Sequence, residues 1–335
     1  MRILMTGCAG FIGRRLLQVL RDAGHEVMGL DRVPCDGMPS NTFLHCDLLD
    51  ERCYIDALAT TDMVCHLAAA RGDWGISEAE YFRDNLEATR TLIGAMKRTG
   101  VNKCLFYSTV AVLGPSDVAL TEASIRKPIN AYGASKAACE ELFEDFVRAD
   151  ADARVIVLRP SAVFGPANPA NTNVFRLIDA IYRRRFLMVG RGEEVKTTSF
   201  MENLLEAHRF LMRDRFSAGR KGYEIYHYVD SPAETTRALV TRIQACLERK
   251  PAVIALPRSL ASLLGTFGDV AARFSGMDIP ITSARIRKFC TPTNFAAEKI
   301  RALGYTQPIS NEAATRMTVE WYLTSYLART GLQAG

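Results

Sequence analysis

Tyr132 and Lys136 stand four apart in the run Asn130-Ala131-Tyr132-Gly133-Ala134-Ser135-Lys136. On a helix that spacing puts a phenol and an ammonium on one face. A free tyrosine titrates at about 10 and is a poor base at neutral pH. A cation held beside it favours the phenolate. The pair therefore predicts removal of a proton from a hydroxyl, provided the fold brings an oxidant to the same place.

The oxidant's place is written at the N-terminus. Thr6-Gly7-Cys8-Ala9-Gly10-Phe11-Ile12-Gly13 follows an apolar run and opens a helical one. Glycines at 7, 10 and 13 permit a tight turn, close approach to a pyrophosphate, and packing of the helix on the sheet. The helix N-terminus then faces the phosphates. Asp31 closes the second apolar run, where a carboxylate hydrogen-bonds an adenosine ribose and repels a 2′-phosphate, favouring NAD. Arg32 follows at once and is compatible with NADP.

Around these groups the first half alternates two periods. Arg2–Met5, Glu26–Leu30, Thr42–His45, Met63–His66, Lys103–Ser108 and Arg154–Leu158 read as buried strands. Phe11–Ala23, Glu51–Ala59, Glu78–Thr99 and Ala131–Ala149 read as helices. This α/β rhythm predicts a doubly wound parallel sheet covered on both faces. Beyond Gly165-Pro166 the rhythm changes, although Tyr223–Val229 reads as a further strand of the first sheet. The expected division is a dinucleotide-binding domain over 1–165 plus about 200–245, and a smaller α/β substrate-binding cap over 166–199 and 246–335.

Composition narrows the function classes. The chain has 335 residues, 48% hydrophobic and 24% charged, which suits a globular protein of about two domains. A net charge of +5 is too diffuse for nucleic acid but compatible with an anionic small molecule. No apolar run reaches the roughly 20 residues of a membrane span. Met1-Arg2 leads directly into the first strand, so no signal peptide is expected. The apolar stretch Leu256–Phe274 reads better as buried in the cap than as a membrane-surface helix. Nine scattered cysteines without a C-x-x-C pair predict reduced thiols, no metal site, and a cytoplasmic setting.

Taken in order, T-G-x-x-G-x-x-G, Asp47-Leu48, His66-Leu67-Ala68-Ala69, Tyr107-Ser108-Thr109, Tyr132-x-x-x-Lys136, Leu158-Arg159-Pro160, Gly190-x-Gly192 and Phe200-Met201-Glu202-Asn203-Leu204 form a set. The set resembles the extended short-chain dehydrogenases/reductases, in their nucleotide-sugar epimerase/dehydratase branch. The likeness runs through nearly the whole chain, to Lys299-Ile300-Arg301-Ala302-Leu303-Gly304-Tyr305. It implies a Rossmann-type fold, NAD as cofactor and a homodimer built on two long helices, here Glu78–Thr99 and Ala131–Ala149. It implies that Gly7, Gly10, Phe11, Ile12 and Gly13 hold the pyrophosphate, Asp31 the adenosine ribose, and Asp47 and Leu48 the adenine. Leu67, Ala68 and Ala69 fall on the nicotinamide side, and Pro160 is a further cofactor-binding position. Thr109 occupies the place of the catalytic hydroxyl, Tyr132 that of the acid/base, and Lys136 that of the residue binding the nicotinamide ribose. Lys196, with Arg285 or Arg287, stands where a substrate diphosphate is anchored. Taken singly, Asp47 also reads as a helix N-cap and the three cations as solvated surface charge.

The resemblance implies NAD-dependent 4-epimerisation of a nucleotide-diphosphate sugar through a transient 4-keto sugar. The alternative on the same residues is an NAD(P)-dependent reductase or dehydrogenase of a keto sugar or another small alcohol. Three positions depart from the family pattern. Ala162 stands where an asparagine often touches the sugar, Leu113 replaces a tyrosine, and Val110-Ala111 follow Thr109 where dehydratases carry Asp-Glu. The last departure argues against dehydration.

Overall fold

The computed structural model describes residues 1–35, 38–72, 75–216, 219–249, 255–257, 259, 265–269, 283 and 291–331. In chain order the strands among the described residues are β1 (Arg2–Thr6), β2 (Glu26–Asp31), β3 (Phe43–His45), β4 (Met63–His66), β5 (Lys103–Tyr107), β6 (Ser116–Leu120), β7 (Arg154–Pro160), β8 (Ala162–Phe164), β9 (Met188–Val189), β10 (Thr198–Phe200), β11 (Gly222–Tyr228), β12 (Ala255–Leu256) and β13 (Thr293–Phe295). Seven of them form one parallel sheet in the order β11-β7-β5-β4-β1-β2-β3. The order runs outward in opposite directions from β1 and β4, so a crevice opens at their carboxyl ends.

Alternate residues of the central strands enter opposite cores, as the period of two demands. Ile3, Met5, Met63, Cys65, Leu105, Ile156 and Leu158 face one layer, with α1 (Phe11–Asp22) and α7 (Met201–Leu211). Leu4, Val64, Cys104, Phe106, Val155 and Val157 face the other, with α2 (Ile55–Ala59), α4 (Ala88–Thr99) and α5 (Ala131–Ala149). The stretch entering α4 begins as α3 (Glu78–Tyr81) and passes through a π-helical turn, Phe82–Glu87. The strand near Tyr223–Val229 does join the sheet, as β11 beside β7.

A third core lies beyond β8. It joins α6 (Asn173–Tyr182), α8 (Thr236–Cys246) and a helix over Asn311–Trp321 through Phe175, Ile178, Val240, Ile243, Ala314 and Val319. Among the described residues no helix is long and apolar enough to cross a membrane. The stretch Leu256–Phe274 lies largely outside those residues.

Cys46 and Cys53 stand side by side, with Cα atoms 6.3 Å apart. Two consecutive turns, Asp50 N–H to Asp47 O and Cys53 N–H to Asp50 O, fold the segment back on itself. A separation of seven residues carries no signal of that closeness in the sequence.

Candidate active site

The glycine turn is built by close approach. Gly7 has φ of +73°, and a Cβ there would stand 2.6 Å from the Ala68 amide nitrogen. A Cβ on Gly13 would stand 2.1 Å from the Gly7 carbonyl oxygen. Neither position admits a side chain without moving backbone. Gly10 differs: a Cβ would meet only the Gly7 oxygen, at 3.2 Å, so its outer side is open. Gly10 is also the N-cap of α1 and offers no side-chain cap, leaving the first-turn N–H groups for an anion. Phe11 and Ile12 turn inward against the first core. This open cradle fits a dinucleotide pyrophosphate.

The rest of the crevice is fastened to that turn. The Thr6 hydroxyl accepts the N–H groups of Leu67 (3.2 Å) and Ala68 (3.1 Å) and donates to His66 Nδ1 at 2.7 Å. His66 Nε2–H then donates to the Thr89 hydroxyl at 3.0 Å. Burial, with the Lys136 ammonium adding to it, lowers the His66 pKa to about 3, so the ring is neutral and serves as a strut. Leu67, Ala68 and Ala69 thus leave β4 directly beside Gly7. Asp31 ends β2, with Oδ2 accepting Ala9 N–H (2.9 Å) and Oδ1 accepting Val33 N–H (3.0 Å). Asp47 makes a local turn, accepting Leu49 N–H at 2.9 Å, and Leu48 is buried next to it.

Tyr132 and Lys136 lie on α5, whose N-cap Asn130 accepts Gly133 N–H at 2.8 Å. A Cβ on Gly133 would stand 2.6 Å from the Ala111 carbonyl oxygen. That glycine lets the helix press against the turn after β5 and sets the half-buried Tyr132 close enough to the Thr109 hydroxyl for that group to favour its phenolate. Thr109 also accepts Ala111 N–H at 3.2 Å, which leaves its own proton free for a further acceptor. The surrounding protein raises the Tyr132 pKa above its ordinary value, while the Arg71 guanidinium and then the Thr109 hydroxyl pull it down. Lys136 is fully buried, its ammonium 4.1 Å from the Phe106 ring centroid, and burial lowers its pKa to about 8.

Several of these supports have no motif. Asn85, on the π-helical turn, accepts Ala70 N–H (2.7 Å) and donates to Ala70 O (3.2 Å) and to the Ser135 hydroxyl (2.9 Å). The Tyr81 hydroxyl donates to Gly72 O at 2.5 Å, and its ring packs 6.0 Å from that of Tyr132. Arg71 is therefore bracketed by two fastened residues. Beneath the corner, Glu140 is fully buried and receives Ser108 Oγ (2.5 Å), Arg159 Nε (2.8 Å) and Nη2 (2.6 Å), and Arg126 Nε (2.7 Å). Burial alone raises that carboxyl, but Arg159, Ser108 and Arg126 outweigh it and hold it below the ordinary range. The only sequence signal was a charge at the next helical step after Lys136.

The other expected residues are spread more widely. Pro160 ends β7 and is buried. Lys196 donates to the Thr291 carbonyl oxygen, next to its bridge with Thr293. Ala162 opens β8 and is exposed. Arg285 and Arg287 lie outside the described residues. Among the described residues no cluster of His, Cys, Asp or Glu could hold a metal ion.

The chain is similar to known proteins in sequence and in fold. The NAD dependent epimerase/dehydratase family model matches residues 3–226. The N-acetyl-alpha-D-glucosaminyl-diphospho-ditrans,octacis-undecaprenol 4-epimerase of Escherichia coli O157:H7 is 30% identical over 320 residues, 95% of this chain and 94% of its own. A 2-alkyl-3-oxoalkanoate reductase of Stenotrophomonas maltophilia is 28% identical, covering 94% of this chain and 98% of that one. In fold, the chain is similar to UDP-glucose 4-epimerase of Thermus thermophilus complexed with NAD, at a TM-score of 0.75 and 22% identity over 97% of this chain and all of that one. It is also similar to MoeE5 in complex with UDP-glucuronic acid and NAD, at a TM-score of 0.76 and 24% identity over 99% of this chain and all of that one. The chain belongs to the NAD-dependent epimerase/dehydratase family and is an enzyme of the extended short-chain dehydrogenase/reductase type.

Proposed function

We propose that this enzyme is an NAD-dependent 4-epimerase of a sugar carried on a diphosphate, with a nucleotide as the carrier. The observation that carries the reading is that Gly133 presses the helix bearing Tyr132 and Lys136 against the Thr109 turn, on the same sheet as an open glycine cradle that fits a pyrophosphate. Gly7, Gly10, Phe11, Ile12 and Gly13 would hold the pyrophosphate of NAD, Asp31 the adenosine ribose, and Lys136 the nicotinamide ribose. When bound, NAD supplies a reversible two-electron oxidation at the sugar carbon.

The side chains do the remaining work. Tyr132 as phenolate takes the proton of the C4 hydroxyl and later returns it. Thr109 donates to the same oxygen and fixes its direction. Arg71 and Thr109 favour the phenolate, against the burial that opposes it, and Lys136 is proposed to add to them once the nicotinamide ribose is bound. Lys196, Arg285 and Arg287 are proposed for the substrate diphosphate. Val110 and Ala111 offer no acid for the elimination that a dehydratase needs. A homodimer packed through α4 and α5 goes with this reading, and solution scattering mass tests it.

A second carrier is supported by the full-length relative in Escherichia coli O157:H7, whose name places the sugar on undecaprenyl diphosphate. Purified enzyme incubated with UDP-N-acetylglucosamine, UDP-glucose and undecaprenyl-diphospho-N-acetylglucosamine separates the carriers. Nuclear magnetic resonance of the sugar should show the C4 epimer, with no net absorbance at the reduced-nicotinamide band. Stoichiometric NADH would overturn epimerisation in favour of a dehydrogenase or reductase.

A further inference from the structure

The end of β2 carries two opposed signals. Asp31 repels a 2′-phosphate on the adenosine ribose, whereas Arg32 next to it attracts one. The structure shows where the Arg32 charge goes. Its Nη1 lies 2.8 Å from Asp84 Oδ2. Asp84 Oδ1 takes Arg83 Nε at 2.7 Å. The Asp84 side chain is only 9% exposed, against 53% for Arg32, so the carboxylate is the fixed member of the pair.

The backbone around Arg32 is fixed as well. Its carbonyl oxygen accepts from His45 Nε2 at 3.0 Å, and the following amide, Val33 N–H, is held by Asp31. Asp84 sits on the π-helical turn Phe82–Glu87, beside Asn85, which fastens the chain leaving β4. Such turns break helical register and aim side chains that a regular helix would point elsewhere. Burial pushes the Asp84 carboxyl up, but the hydrogen bonds from Arg83 and Arg32 outweigh it, so the group is an anion at neutral pH. Glu80 and, more weakly, Asp47 are the other carboxylates acting on Arg83, and Glu80 also faces Asp84.

We propose that Asp84 is a positioning residue for cofactor choice: by capturing the Arg32 guanidinium it denies a 2′-phosphate its counter-ion and makes the crevice selective for a dinucleotide with a free 2′-hydroxyl. Asp31 supplies the direct contact and the repulsion, and Asp84 withdraws the adjacent Arg32 cation that could compensate. Selectivity thus has an attractive and a repulsive element on two different parts of the chain. The inference rests on the dinucleotide reading of the glycine cradle and is independent of whether the reaction is epimerisation.

The test is titration calorimetry of NAD and NADP, at one fixed ionic strength, on dinucleotide-stripped wild type, Asp84→Asn, Arg32→Ala and the double variant. Asp84→Asn keeps the shape and removes the charge. It should tighten NADP by about tenfold while NAD changes by no more than about twofold. Arg32→Ala added to Asp84→Asn should erase the gain, and Asp84→Glu should restore wild-type preference. Unchanged NADP affinity in Asp84→Asn, with a wild-type melting temperature, overturns the proposal. A gain that survives in the double variant overturns it too. Wild type that binds neither dinucleotide overturns the cradle reading and the proposal together, whereas NAD binding without epimerisation leaves the proposal standing and removes only the reaction.

Discussion

The glycine cradle and the Tyr132 corner lie at the carboxyl ends of the same sheet but are made of different material. The cradle is backbone: Gly7, Gly10 and Gly13 shape it, and its ligand groups are amides at the start of α1. The corner is side chains. Thr109 and Tyr132 meet there, Lys136 lies on Phe106, and a buried carboxylate with two arginines ties α5 to the ends of β5 and β7. A backbone site is damaged by adding atoms, and a side-chain site by removing them. The two regions should therefore fail in opposite ways.

The largest effect belongs to the corner. Tyr132→Phe removes one oxygen and should lower turnover by about a thousandfold. NAD affinity by calorimetry should stay within a few-fold of wild type, because no cradle atom changes. Loss of binding to the same degree as turnover would break the comparison.

Glu140→Gln comes next, and its readout is stability. Removing the charge leaves Arg159 buried without its partner, at a cost of about 3 to 5 kcal/mol in denaturant unfolding. The sign of the pH dependence follows from the lowered carboxyl. Its folded pKa lies below the ordinary 4.5, so its contribution is present above that value and is lost as pH falls through the folded pKa. The gap between variant and wild type should accordingly close on acidification. A gap independent of pH would mean that shape, not charge, holds the corner.

This division also explains what could be read from the chain alone. The cradle, Asp31 and the Tyr132–Lys136 pair are local patterns, each legible within a single turn or helix. The parallel sheet is legible because β1, β4, β5 and β7 are short apolar runs separated by helical ones. The supports are not local. Arg159 reaches Glu140 across 19 positions, Ser108 reaches it across 32, and Arg32 reaches Asp84 across 52. Each looks like an ordinary surface charge or hydroxyl until the fold brings its partner. Arg71 lay in a segment with no pattern, and only Asn85 and Tyr81, from a neighbouring helix, reveal that its backbone is held. The closeness of Cys46 and Cys53 was missed for a related reason, since consecutive turns rather than a motif bring the two together.

Within the cradle, Gly10→Ala and Gly13→Ala separate ligand approach from folding. The Gly10 Cβ enters open space apart from one contact at 3.2 Å, so the variant should melt like wild type yet bind NAD about tenfold more weakly. The Gly13 Cβ collides with the Gly7 carbonyl and should lower the melting temperature as well. Equal loss of stability in both variants would show that the open side of Gly10 is not where the pyrophosphate lies.

The smallest effect is the sharpest test of how the corner works. Arg71 is exposed and makes no ion pair among the described residues, so its charge is available to Tyr132 and is partly screened by solvent. Arg71→Ala should slow turnover by about threefold at neutral pH. It should also move the rising limb of the pH–rate profile to higher pH, because a phenol that has lost a neighbouring cation ionises later. Arg71→Lys should restore the limb, since it returns charge without the planar fork. Raising salt should shift the wild-type limb toward that of Arg71→Ala while leaving the variant's own limb in place. If Arg71→Ala raises KM with the limb unmoved, the guanidinium acts on substrate instead, and the phenolate depends on Thr109 and the rest of the corner.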